Sequence, residues 1–310
     1  MSPASPMRHI LHIAIILSGT LLVSAGTLFC QPRPSTAIYL ADIVVDHNYI
    51  QIGKPVAITS SKGYNNQPSF MPDGRSLLLT STGEDSQTDI YQYDISKSII
   101  RRLTSTMESE YSPQSVPGEE YYSVVRVERD STQRFWKYPL DTGAQFNLLP
   151  DLNNLGYYVW FGDSMIAAFL VEKDGRNTLR LFSFNAHSSV LLDSNIGRCL
   201  QRVPQGRGLS YVRKENDSTW NVTLLDLKNR SKIRLIQTPT GSEDYAWTPS
   251  GELIIGKGSR LLVARAPKEQ GWSLLADFST EGIHDITRIA INSSFDKIAF
   301  VARKIEQESK

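Results

Sequence analysis

A short pattern, Pro68-Ser69-Phe70-Met71-Pro72-Asp73-Gly74, then Leu77-Leu78-Leu79, then Thr88-Asp89-Ile90-Tyr91-Gln92-Tyr93-Asp94, recurs in weakened form about every 45 residues along the 310-residue chain. A repeat of this length built from short alternating strands is the mark of a β-propeller blade, because one four-stranded sheet cannot bury both faces alone and must stack on its neighbours. The expected fold is therefore all-β, a six-bladed β-propeller with N-terminal strands closing the last blade. Blades can be added without enlarging any one core, so the whole of 31–310 reads as a single domain despite its length.

Pro72, Pro117, Pro204 and Pro249 mark equivalent turns, with gaps of 45, 87 and 45 residues. The long gap spans two repeats, the skipped blade running from Tyr157-Tyr158-Val159-Trp160 through Asp163 to Met165–Val171. A sixth copy lies at Ile289–Ala302. In each, a Pro-Asp-Gly-like turn closes the hairpin, with proline presetting φ and glycine or aspartate tolerating the left-handed position. Next comes a short apolar run, such as Leu77–Leu79, Ser123–Val127, Ile166–Leu170 or Leu209–Val212, as expected of a strand buried on both faces. The third strand alternates, as in Phe135-Trp136-Lys137-Tyr138 and Trp220–Leu225. The outer strand is polar-edged, as in Arg101–Thr104 and Lys232–Leu235.

The sixth copy stops after its second strand. Its missing outer strands are expected from the other end of the chain, with Ala37–Asp42 as the third strand and Lys54–Thr59 as the outer one. Such closure removes an open seam between first and last blades.

Taken together, Pro-Ser-Phe-Met-Pro-Asp-Gly-Arg-Ser-Leu, Thr-Asp-Ile-Tyr-Gln-Tyr-Asp and Arg-Arg-Leu-Thr resemble the WD40-like repeat of the TolB-type propeller family. The resemblance covers residues 36–303 and is strongest in the blade at 64–104. It implies six blades, a periplasmic or secreted address and protein–protein contacts in the cell envelope. The separate N-terminal α/β domain of the translocation protein of that family has no counterpart ahead of these repeats, which bears on a Tol-system role and not on the propeller.

The first 30 residues carry Arg8 and His9, an apolar run from Ile10 to Leu17 continued by Leu21-Leu22-Val23, and the small residues Ser24-Ala25-Gly26. That is a secretory signal pattern with cleavage near 25–30, Val23 and Ala25 suiting the −3 and −1 positions. The alternatives are an uncleaved anchor over Ile10–Cys30, the one route by which the protein would touch a membrane, and lipidation at Cys30. The cysteines are Cys30 and Cys199, whose pairing is open.

Composition narrows the partners. The net charge is +1, and without Arg8 basic and acidic residues balance. Nucleic-acid binding relies on an excess of Lys and Arg, so it is not expected. No cofactor is implied. No two histidines of the chain beyond the leader stand three or four residues apart, as a local zinc site would need, and no EF-hand-like loop occurs. The Gly-x-Ser-x-Gly pentapeptide of propeller-linked serine hydrolases is absent.

The leading expectation is a non-catalytic, monomeric propeller binding a protein partner through residues at one channel mouth. The outer-to-inner connections crowd there and carry Glu108, Glu110, Glu243, Asp244, Glu281 and Asp285, with His284. The same mouth is expected to present Tyr64, Tyr111, Tyr157 and Tyr245 with the adaptable polar groups Asn65, Asn153 and Asn154, residues typical of contact surfaces. The alternative is a carbohydrate-active or glycan-binding propeller, in which two of these carboxylates about 5 to 10 Å apart flank a sugar. Trp136, Trp160, Trp220, Trp247 and Trp272 are assigned to strands and to packing between blades. The sequons at Asn216, Asn221, Asn229 and Asn292 matter only in a glycosylating host.

Overall fold

A computed structural model describes residues 34–304, apart from 47–48, 84–86, 142–143, 205, 207 and 270. The leader and Cys30 lie outside these residues. Among the described residues the strands form six antiparallel sheets, and the helical content is one 3-10 turn at Ser279–Glu281. No helix among them is long and apolar enough to cross a membrane.

Each sheet is a blade, and in five of them the strands run in chain order from the channel outwards. Blade 1 comprises Asn65–Phe70, Ser76–Thr82, Thr88–Asp94 and Ile99–Arg102, and blade 2 Ser109–Ser115, Tyr121–Val127, Gln133–Pro139 and Phe146–Asn147. Blade 3 is Leu155–Phe161, Met165–Leu170, Thr178–Ser183 and Ser188–Ser194. Blade 4 is Ile196–Arg202, Gly208–Lys214, Trp220–Asp226 and Lys232–Gln237; blade 5 is Tyr245–Trp247, Leu253–Lys257, Arg260–Ala264 and Ser273–Asp277.

Blade 6 joins the two ends of the sequence. Its inner strands are Ile283–Ile291 and Lys297–Lys304, and its third strand is Ala37–Asp46, which pairs antiparallel with Lys297–Lys304 from Ala37 opposite Ala302 to Asp42 opposite Lys297. The outer position is shared by Val56–Ala57 and by Tyr49–Ile52, both paired with Ala37–Asp46. The outer strand expected over Lys54–Thr59 is thus only two residues long, and the hairpin strand Tyr49–Ile52 is an addition the repeat did not reveal.

Side-chain period two explains why the blades cannot stand alone. Leu77 and Leu79 face blade 6, packing with Ile38, Ala299 and Val301, while Leu78 between them faces blade 2 and packs with Tyr122 and Val124. Val125 then turns the other way, into the cluster of Phe135, Leu155 and Ile166 shared with blade 3. The pattern continues around the ring through the clusters of blades 3 with 4, 4 with 5 and 5 with 6. Every second strand thus serves two cores.

Two of these seams carry the same polar device. The Ser210 hydroxyl of blade 4 accepts from the Tyr245 hydroxyl at 2.7 Å and from Trp247 Nε1 at 2.8 Å, both on the inner strand of blade 5. Ser123 of blade 2 stands likewise 2.8 Å from the Tyr158 hydroxyl and from Trp160 Nε1 of blade 3. A small hydroxyl in a second strand satisfies two aromatic donors that burial would otherwise strand. Trp272, assigned to a strand by sequence, stands just ahead of Ser273–Asp277 and donates to the Gln237 carbonyl at 2.8 Å.

Asn65 locks the closure. Its Nδ2 donates to the carbonyls of Thr36 at 2.8 Å and Ser60 at 3.0 Å, and its Oδ1 accepts from Ser81 at 2.7 Å, tying the entering chain to blade 1.

Two expectations follow. Deleting residues 37–59 will abolish the cooperative thermal transition, whereas a monomeric protein with an intact transition would contradict the closure. Ser210→Ala, which leaves the Tyr245 and Trp247 donors unmet, will lower stability by about 2–3 kcal/mol in urea unfolding. A loss of only a few tenths would show that water replaces the serine.

Candidate functional site

The inner strands of all six blades border a channel cavity of about 390 Å³, to which Gln67, Ser112, Tyr157, Arg198, Asp244 and Arg288 each contribute from a different blade. β-Bulges re-aim residues on these strands: the ladders shift register between Asn66 and Ser69, Tyr111 and Gln114, and Thr287 and Ala290. Gln67, Ser112 and Arg288 within the bulges have left-handed φ of 55°, 54° and 50°. Non-glycine residues rarely adopt that conformation, and the surrounding sheets hold them in it.

Asp244 organises the channel charge. Its carboxylate accepts from Arg198 Nε at 3.1 Å and Nη2 at 2.5 Å, and Arg288 Nη1 lies 3.3 Å away. Burial alone would raise the Asp244 carboxyl, but the Arg288 and Arg198 charges outweigh it and hold the group below its ordinary range. Arg288 also donates from Nη2 to the Tyr157 hydroxyl at 2.8 Å, with its guanidinium 4.6 Å from that ring's centre. Glu243 supports the cluster from the side, 3.1 Å from Lys214 Nζ and accepting from the Arg198 backbone N–H at 3.1 Å. Gly197 makes that approach possible, since a Cβ there would collide with the Glu243 carboxylate.

A second cavity, of about 640 Å³, adjoins the first through Gln67 and Tyr157, which line both. It opens at the mouth where outer-to-inner connections of blades 1–3 gather. Tyr64 and Tyr111 meet edge-to-face there with ring centres 6.4 Å apart. Burial pushes the Tyr64 hydroxyl up to about 12, against the opposing effect of Arg288. Met107, 74% exposed, and Val171, 44% exposed, supply open apolar surface. Glu108 is held by Arg126 at 2.9 Å and Arg129 at 3.6 Å.

The predicted residues therefore divide. Tyr64, Glu108, Tyr111 and Tyr157 border the mouth cavity, and Asp244 faces the channel behind it. Three others are corrected as surface-contact residues. Asn65, 3% exposed, is spent on the chain closure; Glu110 and Tyr245, both fully buried, hydrogen-bond between strands. Asp244 is only 6% exposed and already paired, so it too is no free contact group. The cause is common to all four: residues read as loop lie on inner strands or just ahead of one, where the adjoining blade covers them. Asn153 is exposed, while Asn154 donates to the Val171 carbonyl at 3.1 Å. Glu281, His284 and Asp285 border neither cavity, and Asp285 lies 3.5 Å from Arg303.

Arg198, Arg202, Arg288, Gln67, Ser112 and Met107 were not foreseen. A signal existed for the arginines: Arg288 stands inside the run Ile286–Ile291, where an inner strand has no other reason to carry a cation. No cluster of three or more His, Cys, Asp or Glu suited to a metal occurs among the described residues.

Glu110 supplies a pH test. Its Oε1 accepts from the Thr106 and Tyr138 hydroxyls, and Oε2 is buried without a hydrogen-bond partner. Burial, reinforced by the nearby Asp89 charge, raises its carboxyl from 4.5 to about 7. The folded protein thus binds this proton more tightly than the unfolded chain, so the contribution is full below pH 4.5 and is lost as pH rises to about 7. Glu110→Gln will flatten that part of the Tm–pH curve and raise Tm at pH 8. An unchanged slope would place the titration elsewhere.

No family model matches the chain. The Tol-Pal system protein TolB of Francisella tularensis subsp. mediasiatica strain FSC147 is 43% identical over 56 residues, 18% of this chain and 13% of that protein. TolB of F. tularensis subsp. holarctica strain OSU18 is 41% identical over 56 residues, with the same coverage. The chain thus matches only a small part of the length of these curated relatives. Among solved structures, a protein assigned as TolB in Agrobacterium tumefaciens superposes with a TM-score of 0.68 at 12% identity, covering 88% of this chain and all of that one. TolB from Acinetobacter baumannii gives 0.57 at 14% identity over 87% of this chain and 65% of its own. An oligogalacturonate lyase in complex with manganese gives 0.53 at 11% identity over 89% of this chain and 99% of its own. At such identities the structural likeness shows the fold alone. The chain is a six-bladed propeller, similar to TolB proteins in a short stretch of sequence and in fold.

Proposed function

We propose that this protein is an exported, non-catalytic propeller that binds a protein partner of the cell envelope through the mouth formed by blades 1–3, acting as a scaffold. The observation that carries this reading is the mouth cavity: tyrosine rings at Tyr64, Tyr111 and Tyr157 beside exposed Met107 and Val171. Aromatic and methionine side chains on a rigid frame are what protein contact surfaces are rich in, while the charged residues Glu108 and Arg129 at its edge form a polar rim. The likeness to Tol-Pal system proteins supports a protein partner in the envelope, and the leader pattern at residues 8–25 supports export to the periplasm or beyond.

Glycoside chemistry finds less support. It needs two carboxyl groups facing one substrate, one of them able to give a proton. Among the described residues the channel cavity is lined by one carboxylate, Asp244, held ionised by two arginines, and the two carboxylates of the mouth cavity, Glu108 and Glu128, are both paired with Arg126.

The test is affinity capture from a native envelope extract with protein beginning near Gln31, beside Met107→Lys and Val171→Lys variants. Both positions are exposed, so Tm should stay within a degree or two of wild type. A protein retained by the wild type and lost by the variants is the expected result. Retention that survives both substitutions would move the interface away from this mouth.

A further inference from the structure

Resting on the reading that this mouth receives a protein, we infer that the channel behind it is a carboxylate-binding site that takes an acidic side chain from an extended segment of the partner. The argument is one of charge and donor count. The chain as a whole is nearly neutral, with 33 basic and 32 acidic residues. Its channel is not: among the described residues the charged side chains lining the cavity are Arg198, Arg202 and Arg288 against Asp244 alone. Glu243 and Lys214 adjoin this group 3.1 Å apart, Glu243 also lying 3.5 Å from Arg198, so that the four cations Arg198, Arg202, Arg288 and Lys214 face the two carboxylates Asp244 and Glu243. A cleft with an excess of one sign of charge between low-dielectric walls concentrates its field on an entering ligand.

The uncharged groups point the same way. The Tyr157 hydroxyl accepts from Arg288, which leaves its own proton to donate. Gln67 Oε1 accepts from the Thr80 hydroxyl and the Ser112 backbone N–H, both at 2.9 Å, so the donor end of its amide is what remains for the cavity. Ser112, 7% exposed and lining the same cavity, has a buried hydroxyl with no hydrogen-bond partner in the protein. A buried hydroxyl left unmet costs free energy, and a ligand oxygen placed beside it recovers that cost. An ionised carboxylate, which accepts and never donates, is the complement of such a lining, and guanidinium groups bind it with directional, charge-assisted hydrogen bonds.

The mouth cavity favours a peptide over an acidic sugar. The path to the arginines runs past Met107, Val125, Val127 and Val171, an apolar wall that suits peptide side chains, and the carboxylates beside it, Glu108 and Glu128, are already paired with Arg126 and Arg129. The ligand pictured is an extended segment with apolar residues at the mouth and a glutamate or aspartate in the channel.

The experiment uses the full chain, fluorescence anisotropy and three labelled probes: a decapeptide of alternating leucine and glutamate, its glutamine analogue and a uronic acid trisaccharide. The glutamate peptide should bind about tenfold or more tightly than the glutamine analogue and weaken as salt is raised. Arg202→Glu should reduce that binding about tenfold, the size of one charge-assisted contact. Ser112→Ala should weaken it severalfold without lowering Tm, since it removes a buried hydroxyl that no protein group meets. Equal binding of the two peptides would overturn the carboxylate site yet leave the protein-binding mouth standing. Trisaccharide binding without peptide binding would overturn the peptide as the occupant of this site, and the absence of binding by every probe would overturn the carboxylate site while envelope capture decides the mouth.

Discussion

Each second strand of this protein is buried on both faces, and that double duty governs the rest. Leu77 and Leu79 belong to one seam and Leu78 to the next, so removing any blade exposes apolar surface on two others. An open fan would leave such surface bare at its ends, and closing the ring is the way to cover it. The pairing of Ala37–Asp42 with Lys297–Ala302 and the clamp made by Asn65 are where that requirement is met. The rigidity of the channel is a by-product. Six strands fixed by their flanks present residues whose positions owe nothing to the ligand.

Within that frame the channel is organised by a single carboxylate. Asp244 on blade 5 holds Arg198 from blade 4 and Arg288 from blade 6, so the ion pairs also brace neighbouring blades across the axis. Two guanidinium groups cannot lie close in a poorly solvated channel without an anion between them. The arrangement therefore keeps positive charge concentrated at the axis while folding remains favourable. The bulges at Gln67, Ser112 and Arg288 complete it by turning residues out of the regular pleat.

Much of the fold was legible because blade packing writes a local code. A Pro-Asp-Gly turn, an apolar triplet and an alternating strand are short-range features, and their repetition located all six hairpins and the closure. The site was less legible, for two physical reasons. Burial at the start of an inner strand depends on the adjoining blade, so Glu110 and Tyr245 looked like loop residues while sitting in a seam. Bulges depend on backbone register, which side-chain types do not announce, so Gln67 and Ser112 gave no sign of facing a channel. Arg198 and Arg288 could have been found by asking which inner-strand residues are too polar for a seam.

The closure has a temporal side as well. Ala37–Asp46 is made well before its partner Lys297–Lys304, which emerges some 260 residues later. Until that strand arrives the ring lacks a blade, and the entropy of joining such distant segments must be met late and all at once. Closure of the ring thus waits for Lys297–Lys304 to be made. If the chain is exported as proposed above, a ring that cannot close before its last strand emerges is less of an obstacle to the passage across a membrane.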